Sequence, residues 1–345
     1  MKKSKVLAAI ALLMCFALTC VFAQGQGETA GTDGEKMTTI KVAYHPHITG
    51  VGGILNAIDN GYFAEENLNV ELVQFTSGAT ELAAMASGDI DIGYLGVGAH
   101  VFAPKGQCVI LALDSTDLSG EVLTRGDSGI KTMQDLKGKN VAISAGTTSE
   151  LILAKGLQLN GMEREDVTMV NMDATAKVTA FMTGKIDAIS IEAPYTDQLR
   201  KDMGESNVIT LTSSREFLPD AVFTNSWVTT SKFLSKNEDV VVRFLKAWLK
   251  GTQDRYDNMD ASVEKVAKFI NTDVETASLV VPKTNWINNS QLKALVEDGT
   301  VMKWYGIINK MFLDAGLLDA QFDVDPSTYV KLDYLKQAMD EIGVK

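Results

Sequence analysis

The sequence predicts an α/β protein of two similar lobes, closed at its C-terminal end by a helical segment. Three observations predict it. Short β-branched runs alternate with stretches of helical period in two successive series, which implies βαβ units and parallel-type sheets. A helix–Gly–strand pattern recurs, with Leu82–Asp91 (LAAMASGDID) aligning with Val178–Asp187 (VTAFMTGKID). After Trp227 the pattern becomes almost wholly helical, with no convincing strand.

Each element follows from its residues. Thr39–Tyr44 is a strand by its Ile, Val and Tyr content. Apolar residues 54, 55, 58, 62 and 63 fall on one helical face over Ile54–Glu66. The first series continues with a strand at Asn69–Phe75, a helix at Thr80–Ser87, and strands at Ile90–Leu95 and Val109–Leu113. The second series begins near Met133. It runs through Val141–Ser144 (strand), Ser149–Asn160 (helix, closed by Gly161), Val167–Asn171 (strand), Lys177–Thr183 (helix), Ile186–Ile191 (strand), Tyr195–Met203 (helix) and Val208–Thr212 (strand). Helical period then covers Asp239–Tyr256, Ala261–Ile270, Val274–Val281, Ser290–Ala315 and Ser327–Ile342.

The first 23 residues read as an address. Lys2, Lys3 and Lys5 precede an apolar stretch, and Val21-Phe22-Ala23 is a small-x-small cleavage site. Two alternatives are an uncleaved anchor, since the apolar run is about the length of a short membrane span, and lipidation at Cys20, although Ala17-Leu18-Thr19 fits the lipoprotein pattern badly. Residues 24–37 are rich in Gly, Gln, Thr and acids and read as a flexible leader. The chain has 345 residues, enough for about two domains. Its 32 Lys and Arg against 44 Asp and Glu become 29 against 44 without the leading segment, a net charge of −15. No basic run follows residue 5, so nucleic acid is not an expected partner. Cys108 is the only cysteine outside the leading segment, so no disulfide framework is available.

Signatures of catalysis are missing: there is no phosphate loop, GxGxxG, HExxH, CxxC or GxSxG. His45-Pro46-His47 offers two metal ligands but no third nearby, so no metal and no cofactor are expected. Instead, small polar turns stand at strand-to-helix junctions: His47-Ile48-Thr49-Gly50, Thr76-Ser77-Gly78-Ala79-Thr80, Gly96-Val97-Gly98 and Gly146-Thr147-Thr148-Ser149. In an open α/β sheet such turns gather at the carboxyl ends of the strands, where free N–H groups and helix dipoles favour an anion. Each is alternatively an ordinary helix cap. Glu192, between an apolar strand and Pro194, is a candidate for a ligand cation or amine, or else a first-turn surface acid. Tyr195 and Trp227 either wall the pocket or belong to the core.

Taken in order, several of these residues resemble a known family. They are Ile40–Tyr44, Asn60-Gly61-Tyr62-Phe63, Phe75–Gly78, Ser87–Gly93, Asp135–Lys139 and Ala193-Pro194-Tyr195. The series is similar to the extracytoplasmic substrate-binding proteins of ABC importers in the nitrate, sulfonate, taurine and thiamine-precursor group. The resemblance implies a type II periplasmic-binding-protein fold. Its two lobes are joined by two crossing strands, near Leu113–Arg125 and Thr210–Trp227, and the helical C-terminal segment packs on lobe one. Lobe one would hold residues 38–120 and 222–345, and lobe two residues 121–221.

The resemblance also implies a small organic solute, sulfonate-, taurine- or aminopyrimidine-like, and a membrane permease as partners of a monomer. Pro46, His47, Thr49, Ser77, Gly78, Gly96, Val97, Thr147, Thr148 and Glu192 would form the pocket. Many relatives carry Trp where this chain has Glu192, and the added negative charge favours an amine-bearing ligand over nitrate. The same superfamily includes a fungal enzyme with a cysteine-rich iron motif, which this chain lacks. Two other readings are an extracytoplasmic enzyme using Glu192 or Asp173 as base, and a ligand sensor docking on a receptor.

Overall fold

The computed structural model describes residues 37–218 and 222–345; the leading segment, Cys20 and all of the leader but Met37 lie outside them. The chain begins with β1 (Thr38–Tyr44), α1 (Ile48–Asp59), α2 (Tyr62–Glu65), β2 (Leu68–Gln74), α3 (Gly78–Ser87) and β3 (Ile92–Leu95). A short helical turn, Val97–Phe102, leads to β4 (Val109–Asp117), and β5 (Glu121–Arg125) follows at once. The second series is β6 (Asn140–Ile143), α4 (Thr148–Leu159), β7 (Thr168–Asn171), α5 (Ala174–Met182), β8 (Ala188–Ile191), α6 (Tyr195–Met203) and β9 (Val208–Ser213). It is followed by β10 (Thr224–Thr229), α7 (Ser231–Leu234), α8 (Glu238–Asp257), α9 (Met259–Phe269), α10 (Val274–Ser278) and β11 (Thr284–Trp286). The last helices are α11 (Asn289–Glu297), α12 (Thr300–Asp314) and α13 (Asp333–Glu341).

Two sheets result, ordered β11-β4-β10-β3-β1-β2 and β7-β6-β8-β5-β9. Apart from the edge strand β11, they share one plan. A parallel set (β2-β1-β3; β7-β6-β8) meets one antiparallel strand (β10; β5), which in turn pairs with a last strand (β4; β9). The recurring Ile-Asp explains part of this likeness. Asp91 accepts from the Lys41 amide with one carboxylate oxygen (2.8 Å), and its own amide donates to the Lys41 carbonyl (2.9 Å). Asp187 does the same to Asn140, at 2.8 and 3.1 Å. In both lobes an aspartate thus fastens the third strand to the start of the first.

Some boundaries depart from the sequence reading. Strands do occur from Trp227 onward: Trp227 lies inside β10, and β11 adds to the edge of β4. Three residues are too few to show a period of two, and Thr284–Trp286 is held by its partner rather than by its own pattern. The helical run 290–315 breaks at Gly299, whose φ of 81° is a left-handed conformation that favours glycine. α3 and α5 each start a few residues before the reading placed them, at Gly78 and Ala174. Pro194 is the cap residue before α6 rather than its first turn.

α8 fixes the start of α1. Its apolar stripe, Val241, Phe244, Leu245, Trp248 and Leu249, is buried in the core of lobe one. Gly53 and Gly251 let the two backbones touch, since a methyl at Gly251 would overlap the Gly53 carbonyl. Asn56 of α1 also donates to Ser262 Oγ of α9 (2.9 Å). One turn further along, Arg255 (2% exposed) meets Asp114 (0%) at 3.2 Å and reaches the Thr49 carbonyl at 3.4 Å. Its guanidinium also lies over the Trp286 ring, 4.7 Å from the centroid. Arg255→Leu leaves the Asp114 charge buried without its partner. The expected cost is about 3–5 kcal/mol in chemical denaturation; a cost under about 1 kcal/mol would show that the pair does not hold α1 in place.

Candidate functional site

The carboxyl ends of both sheets face a common cleft, and His47 begins the site at the entry to α1. Its Nδ1 accepts from the Gly50 amide (3.1 Å), so the ring proton sits on Nε2 and the Thr49 hydroxyl donates to the same Nδ1 (2.6 Å). Burial and the neighbouring His45 push His47 down to about 3, and the ring stays neutral at physiological pH. Gly50 is required here, because a side chain would overlap the His45 carbonyl.

Behind His47, the fully buried Glu81 of α3 bonds His45 Nε2 (3.0 Å) and accepts from the Tyr94 amide (2.6 Å). Burial raises Glu81, and His45 pulls it back. The rings of His45, His47 and Tyr94 pack edge to face at 5.7–5.9 Å between centroids.

The remaining turns meet across the cleft. Gly78, at the start of α3, packs so closely on Ala99 that a methyl would collide. Gly98, the preceding residue, lies against the backbone of Thr147 and Thr148 at the N-terminus of α4, and its amide points to Thr148 Oγ1 (3.4 Å). A Cβ on Gly96 would sit 3.3 Å from the same hydroxyl. Neither Ser77 nor Thr147 caps its helix with its side chain; Thr147 instead donates to the Ser144 carbonyl (2.7 Å).

Glu192 stands at the end of β8, partly buried, and its carboxylate accepts no hydrogen bond from another described residue. Burial raises it, Lys177 pulls it down, and Asp117 pushes it up further.

The structure thus brings Gly78, Gly96, Thr147 and Thr148 together, sets His47 and Thr49 beside Tyr94, and places Glu192 near Lys177 and Asp117. Pro46 lies partly buried between the two histidines. Val97 and Trp227, each 1% exposed, are core residues; Trp227 packs on Tyr94, Phe244 and Trp248. Their burial leaves no side-chain surface to wall a pocket. Tyr195, 36% exposed, starts α6. Asp173 is committed as the cap of α5, accepting from the Ala176 amide (2.8 Å). Two surface depressions, of about 460 and 480 Å³, lie beside α8 and α5 and include none of the expected ligand positions. Among the described residues, no group of three or more His, Cys, Asp or Glu is placed to hold a metal ion. None of their helices is long and apolar enough to cross a membrane.

Sequence reasoning missed Lys177, Glu81 and Asp117. Extending the recurring pattern back by one residue pairs Glu81 with Lys177, two charges on otherwise apolar helix faces, and that signal would have found two of them.

Two lobes of one strand plan, tied by crossing strands, with polar helix N-termini meeting between them, define the class: a type II periplasmic-binding-protein fold. The periplasmic nitrate-binding protein of Synechocystis PCC 6803 superposes with a TM-score of 0.72 at 13% identity, over 90% of each chain. The desulfurization enzyme DszB has the same fold (TM-score 0.62, 13% identity, 88% of this chain and 99% of that one). The chain belongs to the NMT1/THI5-like family, whose model matches residues 48–262. A protein of Brucella abortus (strain 2308) named only for a binding role is 27% identical over 295 residues, 86% of this chain and 91% of that one. The taurine-binding periplasmic protein of Escherichia coli (strain K12) is 30% identical over 203 residues, 59% of this chain and 62% of its own.

Gly98→Ala would drive a methyl into the Thr147 backbone and hold the lobes apart. Small-angle scattering is expected to show a larger radius of gyration than the native protein under the same conditions; identical profiles would refute the contact. His100, 2% exposed against Tyr305, is pushed down to about 3 by burial. The unfolded chain therefore binds this proton from about pH 6.5 downward while the native state does not, so stability falls as pH drops through that window. The slope is about 1.4 kcal/mol per pH unit for one proton. The stability deficit of His100→Gln relative to the native protein is expected to narrow between pH 6.5 and 4.5; a constant deficit would contradict it.

Proposed function

We propose that the protein is the extracytoplasmic solute-binding component of an ABC importer. It captures a small amine-bearing organic solute, taurine-like or aminopyrimidine-like, between its lobes and delivers it to a membrane permease. The observation that carries this reading is the meeting of the Gly96–Gly98 turn of one lobe with the N-terminus of α4 in the other. A ligand seated there touches both lobes only when they close, so binding shifts the open–closed population. The N-terminal N–H groups of α3 and α4, with the Ser77 hydroxyl, suit a sulfonate or other acidic group, and the Glu192 carboxylate, which accepts no hydrogen bond from another described residue, suits an amine. Family membership and the binding roles named for its relatives support the same reading. A single chain carries both lobes, so a monomer suffices. The expected signal segment would export it, with lipidation at Cys20 the alternative route to an extracytoplasmic site.

An enzyme reading finds less support: Glu192 has no partner to orient it as a base, and Asp173 is occupied as a helix cap. The fold alone does not separate the two, since it also serves a desulfurization enzyme.

A thermal-shift panel of taurine, alkanesulfonates, nitrate, bicarbonate and aminopyrimidines tests the proposal. A ligand present at a hundred times its Kd adds about 2.7 kcal/mol of stability. At least one amine-bearing solute is expected to stabilise the native protein and to bind about tenfold or more weakly to Glu192→Gln, the loss of one charged contact. Hits confined to nitrate or bicarbonate, or hits indifferent to Glu192→Gln, would overturn the amine assignment.

A further inference from the structure

Lys177 is 1% exposed inside lobe two. Its ammonium donates to the Ser190 carbonyl on β8 (2.8 Å) and to Ser149 Oγ in the first turn of α4 (3.0 Å), which uses two of its three protons. Among the described residues no carboxylate comes within ion-pair distance of it. A buried cation at the positive end of a helix is doubly disfavoured, by lost hydration and by the dipole. Such a group persists where a negative charge is supplied nearby. Glu192 lies two residues beyond Ser190 at the same strand end, partly buried and accepting no hydrogen bond from another described residue.

We propose that Lys177 is a positioning residue for solute selection. Its ammonium, set behind the binding turns, is the counter-charge that keeps the Glu192 carboxylate ionised, so that this carboxylate receives the ammonium of a solute. The assignment of that receiving role to Glu192 rests on the proposed function above.

The other lobe repeats the arrangement with the sign reversed. In the recurring pattern Glu81 occupies the position of Lys177, and Tyr94 that of Ser190. Glu81 accepts from the Tyr94 amide where Lys177 donates to the Ser190 carbonyl. Glu81 in turn holds His45, beside the cleft-entry residue His47. Both lobes therefore bury a charge at one equivalent helix position, bonded to the third strand and placed behind a polar group near the cleft.

The charges that face this pair are few. Asp173 flanks Lys177, and Asp117, at the end of β4, faces Glu192. Lys283 and Arg215 face Asp117 in turn. Burial lowers Lys177 and raises Glu192, and each charge counters the shift of the other.

Carbon-detected NMR titration of the Glu192 carboxyl in the full chain, without ligand, tests the proposal. Lys177→Met is expected to raise the Glu192 midpoint by about one pH unit or more, and Lys177→Arg to leave it near the native value. An unchanged midpoint in Lys177→Met, or an equal rise in Lys177→Arg, overturns the proposal. Should Lys177→Met fail to fold, the reciprocal titration decides. In Glu192→Gln the Lys177 ammonium is expected to lose its proton at lower pH than in the native protein, and an unchanged midpoint overturns the coupling. Neither titration needs a solute, so failure here is separate from failure of the binding reading. If Glu192→Gln leaves amine binding intact while the titrations behave as expected, the charge coupling stands and the solute assignment falls.

Discussion

Strand β10 sits between β3 and β4 in the first sheet, yet the chain reaches it only after building the whole other lobe. Likewise β5, second from one edge of the other sheet, arrives directly from β4. Neither sheet is complete without a strand delivered across the boundary, so the lobes are joined where the chain crosses. The cleft mouth follows from this. Both sheets turn their carboxyl ends toward the crossing, and the turns after β1, β2, β3 and β6 are carried there with them.

Within lobe one, a second set of contacts fixes the depth at which those turns begin. The glycines of α1 and α8 bring two backbones together, and Arg255 links β4, β11 and the first turn of α1. The first turn of α1, which follows His47, is thus held at Thr49 by a residue 206 positions away in sequence. A buried ion pair contributes little net stability by itself. Its value here is geometric, since it leaves the opening of α1 one position relative to β4.

The sequence revealed the architecture where its signals were local. Periods of two and 3.6, glycine stops and the repeated Ile-Asp all act within about ten residues, and they located most strands and helices of both lobes. β11 escaped because an edge strand of three residues owes its shape to β4. The polar turns were legible for a similar reason, being caps and strand ends. Whether their side chains face the cleft was not. Val97 and Trp227 look like neighbours of a ligand in sequence, but the strand and turn that carry them aim both side chains into the core. Lys177 was hidden for the opposite reason: a lysine in a helix ordinarily faces solvent, and only the pairing of α5 with β8 and α4 turns it inward.

Cys108 has a practical meaning of another kind. It is fully buried, and burial pushes its thiol up to about 12, so almost no thiolate exists at neutral pH. Among the described residues it is the only sulfhydryl. The folded lobes are therefore nearly inert to maleimide and iodoacetamide reagents. A single cysteine introduced on either rim of the cleft would carry a fluorophore with little competing background, and the proposed closure of the lobes could be followed as light.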